Sequence, residues 1–205
     1  FYQWYAGVQW DMGELPAGPV SWYAGAEYND WVYADKYDAQ SEAGNIIGSS
    51  GNSSGGVRDV TAAYVESLVP ITEQVELNLA GRFDDYSDFG SAFSPKASLR
   101  YQPLDNLMLR TSWSRSFRAP SLSDLYAADS QSADWAKDYV YCEANGISAA
   151  DCPNRQYTTT RTANEELKEE TADTWNFGVA YSPVDDLNLS LDYYTIKIED
   201  VIQLN

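Results

Sequence analysis

Apolar and polar side chains alternate residue by residue along most of this chain. Between Val75 and Pro120, Leu77, Leu79, Gly81 and Phe83 alternate with Glu76, Asn78, Ala80, Arg82 and Asp84. The pattern resumes with Ala97, Leu99 and Tyr101 against Lys96, Ser98, Arg100 and Gln102, and returns with Leu107, Leu109, Thr111 and Trp113 against Met108, Arg110, Ser112 and Ser114. A period of two belongs to a β-strand with one apolar and one polar face. Short turns at Ser87–Ser91 and Pro103–Asn106 join the runs, which predicts an antiparallel meander with strands of about ten residues.

The same alternation over Phe1–Met12, Val20–Asn29, Arg58–Val69, Thr174–Tyr181 and Leu187–Tyr194 brings the expected strands to about eight. Compact turns are expected at Gly13–Pro19, Pro70–Gln74 and Pro183–Asp186, where Pro, Gly and Asp favour reversal. Two stretches lack any sustained period: 30–57, which ends in a Gly/Ser run, and 119–168. They read as long loops; Ser123–Lys137 has room for a short helix, but no strong cap marks one. Short and long connections therefore alternate, so the tight turns share one end of the sheet and the long loops the other. A soluble sandwich predicts alternation too, but its strands run about 5–6 residues and its loops are not sorted by end. A transmembrane barrel needs about 9–11 residues per strand and sorts its loops this way. The expected fold is all-β: an antiparallel transmembrane β-barrel fragment.

Composition bears on this in three ways. No run of 18 apolar residues occurs in the 205, so no transmembrane helix is expected, while alternation hides lipid-facing strands from a hydropathy window. The formal charge of −18 leaves no basic stripe for phosphates, so no nucleic acid partner is expected. Seven Trp and sixteen Tyr suit the interfacial girdles of a membrane wall, where an apolar ring with a polar tip is favoured, with aromatic cross-strand packing as the plainer account of about half of them.

Cys142 and Cys152 lie close together. A disulfide between them would close a small loop, worth about 3 kcal/mol in the chain-entropy model, and implies an extracytoplasmic compartment. Two free thiols are the alternative, against which their polar surroundings weigh. His is absent, and no metal-ligand spacing, P-loop or nucleophile elbow occurs. Asp84 and Asp85 point to opposite faces of a strand and cannot share a site. No enzyme activity, cofactor or metal is expected.

The segments LPAGPVSWYAGAEY (15–28), RDVTAAYVE (58–66), LNLAGRFDDYSDFG (77–90), PKASLRYQPLDNLMLRTSWSRSFRAPSLSDLY (95–126) and NEELKEETADTWNFGVAYSP (164–183) resemble TonB-dependent outer-membrane receptors of Gram-negative bacteria. SRSFRAPSLSDLY is the most specific of them. The resemblance implies a barrel of about 22 strands around an N-terminal plug, of which residues 1–205 would supply about eight, with extracellular loops at about 30–57 and 119–168. It implies uptake of a scarce ligand of siderophore, cobalamin, sugar or peptide class, energised by TonB, with outer-membrane lipid around the wall. TonB itself would act through N-terminal residues outside this chain. The alternatives are a passive porin-like barrel and a surface structural or adhesion protein.

Candidate site residues follow from the polar face. Arg82, Lys96, Arg100 and Arg110 point inward, toward the plug, a passing ligand, or an ion-pair ladder with Glu66, Glu76 and Asp84. Arg115 and Arg118 match the family's SRSFRAP segment; loop or plug carboxylates and local pairing with Asp124 are the two expectations for them. The acidic, aromatic stretch Tyr126–Tyr141 has Ca²⁺ or a cationic or sugar ligand as its functional reading, and a solvated acidic loop as its plainer one. The acidic loops also weigh against a strongly anionic ligand.

Overall fold

The structure, a computed structural model, describes residues 1–46 and 51–203. Eight strands form one antiparallel sheet: β1 (Tyr2–Leu15), β2 (Gly18–Asp35), β3 (Ser54–Thr72), β4 (Val75–Tyr86), β5 (Gly90–Leu104), β6 (Leu107–Arg118), β9 (Glu170–Val184) and β10 (Leu187–Glu199). They lie side by side in chain order. Between β6 and β9 the chain forms a separate hairpin, β7 (Ser130–Lys137) with β8 (Asn154–Arg161). Among the described residues, three short helices complete the elements: α1 (Ala39–Glu42), α2 (Leu122–Tyr126) and α3 (Tyr139–Ala144).

The eight sheet strands run 12 to 19 residues, longer than the alternation alone marks out. At about 3.3 Å per residue and a tilt of about 40°, even twelve residues rise about 30 Å, enough to cross a hydrocarbon layer. The tight turns contract to residues 16–17, 73–74, 105–106 and 185–186, so Pro19, Pro70, Pro103 and Pro183 belong to strands instead of turns. Each of these prolines sits in or beside a shift of strand register. That is where a residue without an N–H interrupts the ladder least. Gly13 at φ +84° lies in the shift between Asp11 and Glu14, a backbone conformation open to glycine.

The cross-strand register fixes the two faces. One row of partners runs Ser67, Leu79, Ala97, Trp113, Trp175, Thr195, and the row below it runs Val69, Leu77, Leu99, Thr111, Phe177, Tyr193. These large apolar groups stay open: Phe177 is 50% and Tyr193 66% exposed. The sheet is a single layer whose buried hydrophobic residues, among those described, are Val60, Ala62 and Ala92. Leaving such a face in water would cost about 1.5–3 kcal/mol per large side chain, so hydrocarbon is its solvent.

Compact packing divides the chain into two units. The sheet unit comprises Phe1–Trp31, Val57–Pro120 and Glu166–Asn205, and the other comprises Val32–Gly56 and Ser121–Glu165. In the second, Asp38 caps α1, accepting from the Gln40 and Ser41 amides. Ser121 and Asp124 form a reciprocal capping box on α2. The helix that Ser123–Lys137 has room for is therefore confined to 122–126, and 130–137 is extended as β7. The long connections are likewise shorter than their lack of period suggests, since β2 continues to Asp35 and β3 begins at Ser54. Residues 47–50 of the expected Gly/Ser loop lie outside the described residues.

Candidate functional site

The polar face of the sheet carries a connected charge network centred on Arg82 of β4. Its guanidinium pairs with Glu27 of β2 at 3.0 Å and with Asp84 on its own strand at 2.9 Å. It also lies 5.5 Å from the centroid of the Tyr64 ring on β3. Glu27 accepts further bonds from Gln3 of β1 at 2.6 Å and from Asn29 at 2.8 Å, so one cation ties together four strands. Glycines leave the space that the neighbouring rings occupy. A Cβ on Gly25 would fall 2.5 Å from the Tyr64 ring, and one on Gly7 would meet Tyr23.

Further along the sheet, a second polar row runs Glu76, Arg100, Arg110, Gly178, Asp192. Arg110 reaches across Gly178 to grip Asp192 with both forks, at 2.6 Å for the shortest contact. A side chain at 178 would collide with Arg110 and Asp192. Arg100 faces Arg110 directly and donates to the neutral Gln102. Neither Arg100 nor Lys96 has a carboxylate within 4.0 Å among the described residues. Of the expected ladder, Arg82 meets Asp84, but along its own strand; Arg110 takes Asp192 instead, and Glu66 accepts from Asn78 at 2.7 Å.

Arg115 and Arg118 each meet a carboxylate of β9. Arg115 meets Asp173 at 2.7 Å and Arg118 meets Glu170 at 2.6 Å, each directly opposite on β9. Asp124 is occupied in the α2 cap. The two arginines also differ in face. Arg115 follows Trp113 on the apolar side, in a row with Asp173 and Lys197, and these charges end the apolar band just beyond Trp113 and Trp175.

Arg58 is the residue that sequence reasoning missed. It is buried with Asp88, the pair 2.7 Å apart and their side chains 9% and 2% exposed. It donates to the Pro120 carbonyl at 2.8 Å and stacks against Tyr86 and Phe89 at 5.3 and 5.7 Å. The signal was present: continuing the β3–β4 register two residues past Val60 and Tyr86 sets Arg58 opposite Asp88.

In the second unit, Cys142 and Cys152 are joined by a disulfide. Asp134 accepts from Thr159 at 2.7 Å and from Arg161 at 3.3 Å, and these contacts, Thr159 first, hold its carboxyl below the usual carboxylate range. The Asp38 carboxyl is lowered likewise by the Ser41 hydroxyl and the amides it caps. Trp135, Tyr139 and Tyr141 are exposed, with Arg155 5.5 Å from the Tyr141 ring. No group of three or more Cys, Asp or Glu among the described residues is arranged to hold a metal ion.

A family model described as TonB dependent receptor-like, beta-barrel, matches residues 1–205. The chain is 26% identical over 144 residues to the probable TonB-dependent siderophore receptor PirA of Acinetobacter baumannii, covering 70% of this chain and 17% of that protein. It is 27% identical over 132 residues to the hemin receptor of Yersinia pestis, covering 61% and 17%. Among solved structures, the siderophore receptor PirA of Acinetobacter baumannii superposes with a TM-score of 0.73 at 17% identity, over 97% of this chain and 27% of that one. A mutant of the ferric enterobactin receptor of Pseudomonas aeruginosa in complex with enterobactin gives 0.72 at 19%, over 96% and 26%. At these identities the structures bear on the fold, and the chain spans about a sixth of the curated relatives' length.

Proposed function

Since the chain belongs to the TonB-dependent receptor-like β-barrel family and its sheet is part of an outer-membrane barrel of Gram-negative bacteria, we propose that the whole protein takes up an iron chelate, energised by TonB. The observation that carries this reading is the family match along the entire chain, joined to a wall with one continuous apolar face and one ion-paired polar face. The two curated relatives are named as siderophore and hemin receptors, which favours iron chelates over cobalamin, sugars or peptides.

In this reading residues 1–205 supply eight strands of a barrel of about 22. The turns at 16–17, 73–74, 105–106 and 185–186 face the periplasm and the long connections face outward. The outward unit captures ligand: Trp135, Tyr139 and Tyr141 offer exposed rings to a flat or aromatic chelate. Its hairpin and disulfide hold those rings in place. The polar face lines the lumen beside the protein's own plug, and its cross-strand ion pairs keep the wall rigid while TonB rearranges that plug. Binding and transport, with no catalytic step, account for the residues present.

Purified full-length protein, titrated with ferric siderophores of different chelating groups and with hemin while tryptophan fluorescence is followed, tests this reading. Saturable quenching by at least one iron chelate supports it. Absence of binding to all of them, together with passive conductance of small ions, would favour the porin-like alternative.

A further inference from the structure

The apolar face of the wall holds a recess of about 370 Å³ between Trp22 of β2 and Trp113 of β6. Small or short side chains at Gly81, Pro95 and Ala97 leave it open among the larger groups of the same face. Trp22 and Ser67 stand nearer the tight-turn ends of β2 and β3, whereas Pro95 stands nearer the opposite end of β5, so the recess runs along the strands. Hydrocarbon is the solvent of this face, and an apolar hollow alone would take any lipid tail. Two polar atoms set this one apart. The indole N–H of Trp22 and the hydroxyl of Ser67 are buried and have no hydrogen-bond partner among the described residues. Ser67 is 4% exposed and lies in register with Leu79, on the apolar side. Trp22 stacks on its cross-strand partner Trp10 with ring centroids 6.4 Å apart, which holds the indole in place. Water serves such groups on a wet surface. In hydrocarbon there is none, and an unmet donor is at its most costly.

Both groups donate, and the indole can do nothing else. The missing partner is therefore an acceptor that travels with a hydrocarbon tail, and an ester carbonyl is such an acceptor, joined directly to an acyl chain. We propose that the recess is a binding site for one diacyl glycerophospholipid. Its ester carbonyl accepts from Trp22 and Ser67, and its acyl chain lies over Gly81, Ala97 and Pro95 toward Trp113. A second copy of this chain is a poorer occupant, because a barrel wall offers its neighbour apolar side chains while its backbone carbonyls are consumed in the ladder. The site belongs to the outer face of the wall and holds whichever ligand the receptor takes up.

Purified full-length receptor, released from nanodiscs of a diacyl phosphatidylethanolamine or of its diether analogue and weighed by native mass spectrometry, tests the proposal. The diether keeps the tails and head group and lacks the carbonyls. The expected result is one phospholipid retained per barrel, with the ester form held about tenfold better. W22F/S67A removes both donors and should bring ester retention down to the diether level, while A97F fills the recess and should abolish retention of either lipid. Folding of each variant is checked by heat-dependent electrophoretic mobility. Equal retention of the two lipids by the native protein overturns the proposal whether or not the variants fold. An ester preference that survives in folded W22F/S67A, or a retained second copy of the chain in place of lipid, overturns it too. None of these outcomes bears on the receptor reading.

Discussion

Replacing Asp88 by alanine tests whether Arg58 is held by a buried ion pair or merely by its surroundings. In the native chain the two groups are 2.7 Å apart and almost wholly enclosed. Removing one partner of a buried pair costs about 3–5 kcal/mol, because the other charge stays buried without compensation. Here the Pro120 carbonyl and the rings of Tyr86 and Phe89 remain around the guanidinium, which sets the expectation at the lower end, about 3 kcal/mol. The affected backbone is the end of the β3–β4 pairing, where the Ser87 amide donates to the Asp59 carbonyl at 3.0 Å and the Asp59 amide to the Ser87 hydroxyl at 2.9 Å. A local opening eased by about 3 kcal/mol accelerates exchange of these amides roughly 150-fold. Hydrogen exchange with mass spectrometry on full-length protein in detergent, comparing peptides covering 56–60 and 86–90, measures it directly. Exchange within about threefold of wild type would refute the reasoning, since an exposed pair is worth only about 0–1 kcal/mol. The double variant R58M/D88L should recover most of the protection, as apolar replacement of both partners often does.

Three further outcomes follow from the geometry. Gly25→Val should displace the Tyr64 ring and loosen Arg82, lowering the melting temperature of the full-length barrel, whereas Gly18→Ala, whose site has no neighbour within 4 Å, should disturb only its own turn. Cys152→Ser should lose about 3 kcal/mol of local stability, read as faster proteolytic nicking between 139 and 161 under oxidising conditions and no difference after reduction. The Asp134 carboxyl lies below its ordinary value in the folded hairpin, so its contribution is complete above the ordinary carboxylate range and disappears as pH falls below it. Amide protection of β7–β8 should therefore drop on acidification through that range, and Asp134→Asn should remove the dependence.

The strands were legible because each sheet strand has one apolar face, so a period of two marks its middle. Their ends were not, since β2 ends with polar Asn29 and Asp30 on both faces and then apolar Trp31, Val32, Tyr33 and Ala34 on both faces, which breaks the alternation. The β7–β8 hairpin escaped for the same reason, its Ser, Thr, Gln and Arg giving no contrast between faces. Within the site, the cations were legible by type and face, and their partners were legible only where the register is local. Asp84 lies two residues from Arg82, but Glu27 lies 55 away. Arg115 and Arg118 find their partners on a strand that returns after the entire β7–β8 excursion. Sequence position gives no access to that adjacency. Gly178 shows the same limit, because its meaning depends on the two charged residues that meet over it.

Energised uptake is the central claim, and it is measured in cells lacking their own iron-chelate receptors that express the full-length protein. Cells are offered a radio-iron-labelled siderophore or hemin with and without a protonophore. Accumulation that requires the protein and collapses when the proton gradient is dissipated is the predicted result. Uptake that is indifferent to the gradient, or absent for every iron chelate despite a folded protein in the outer membrane, would contradict the account.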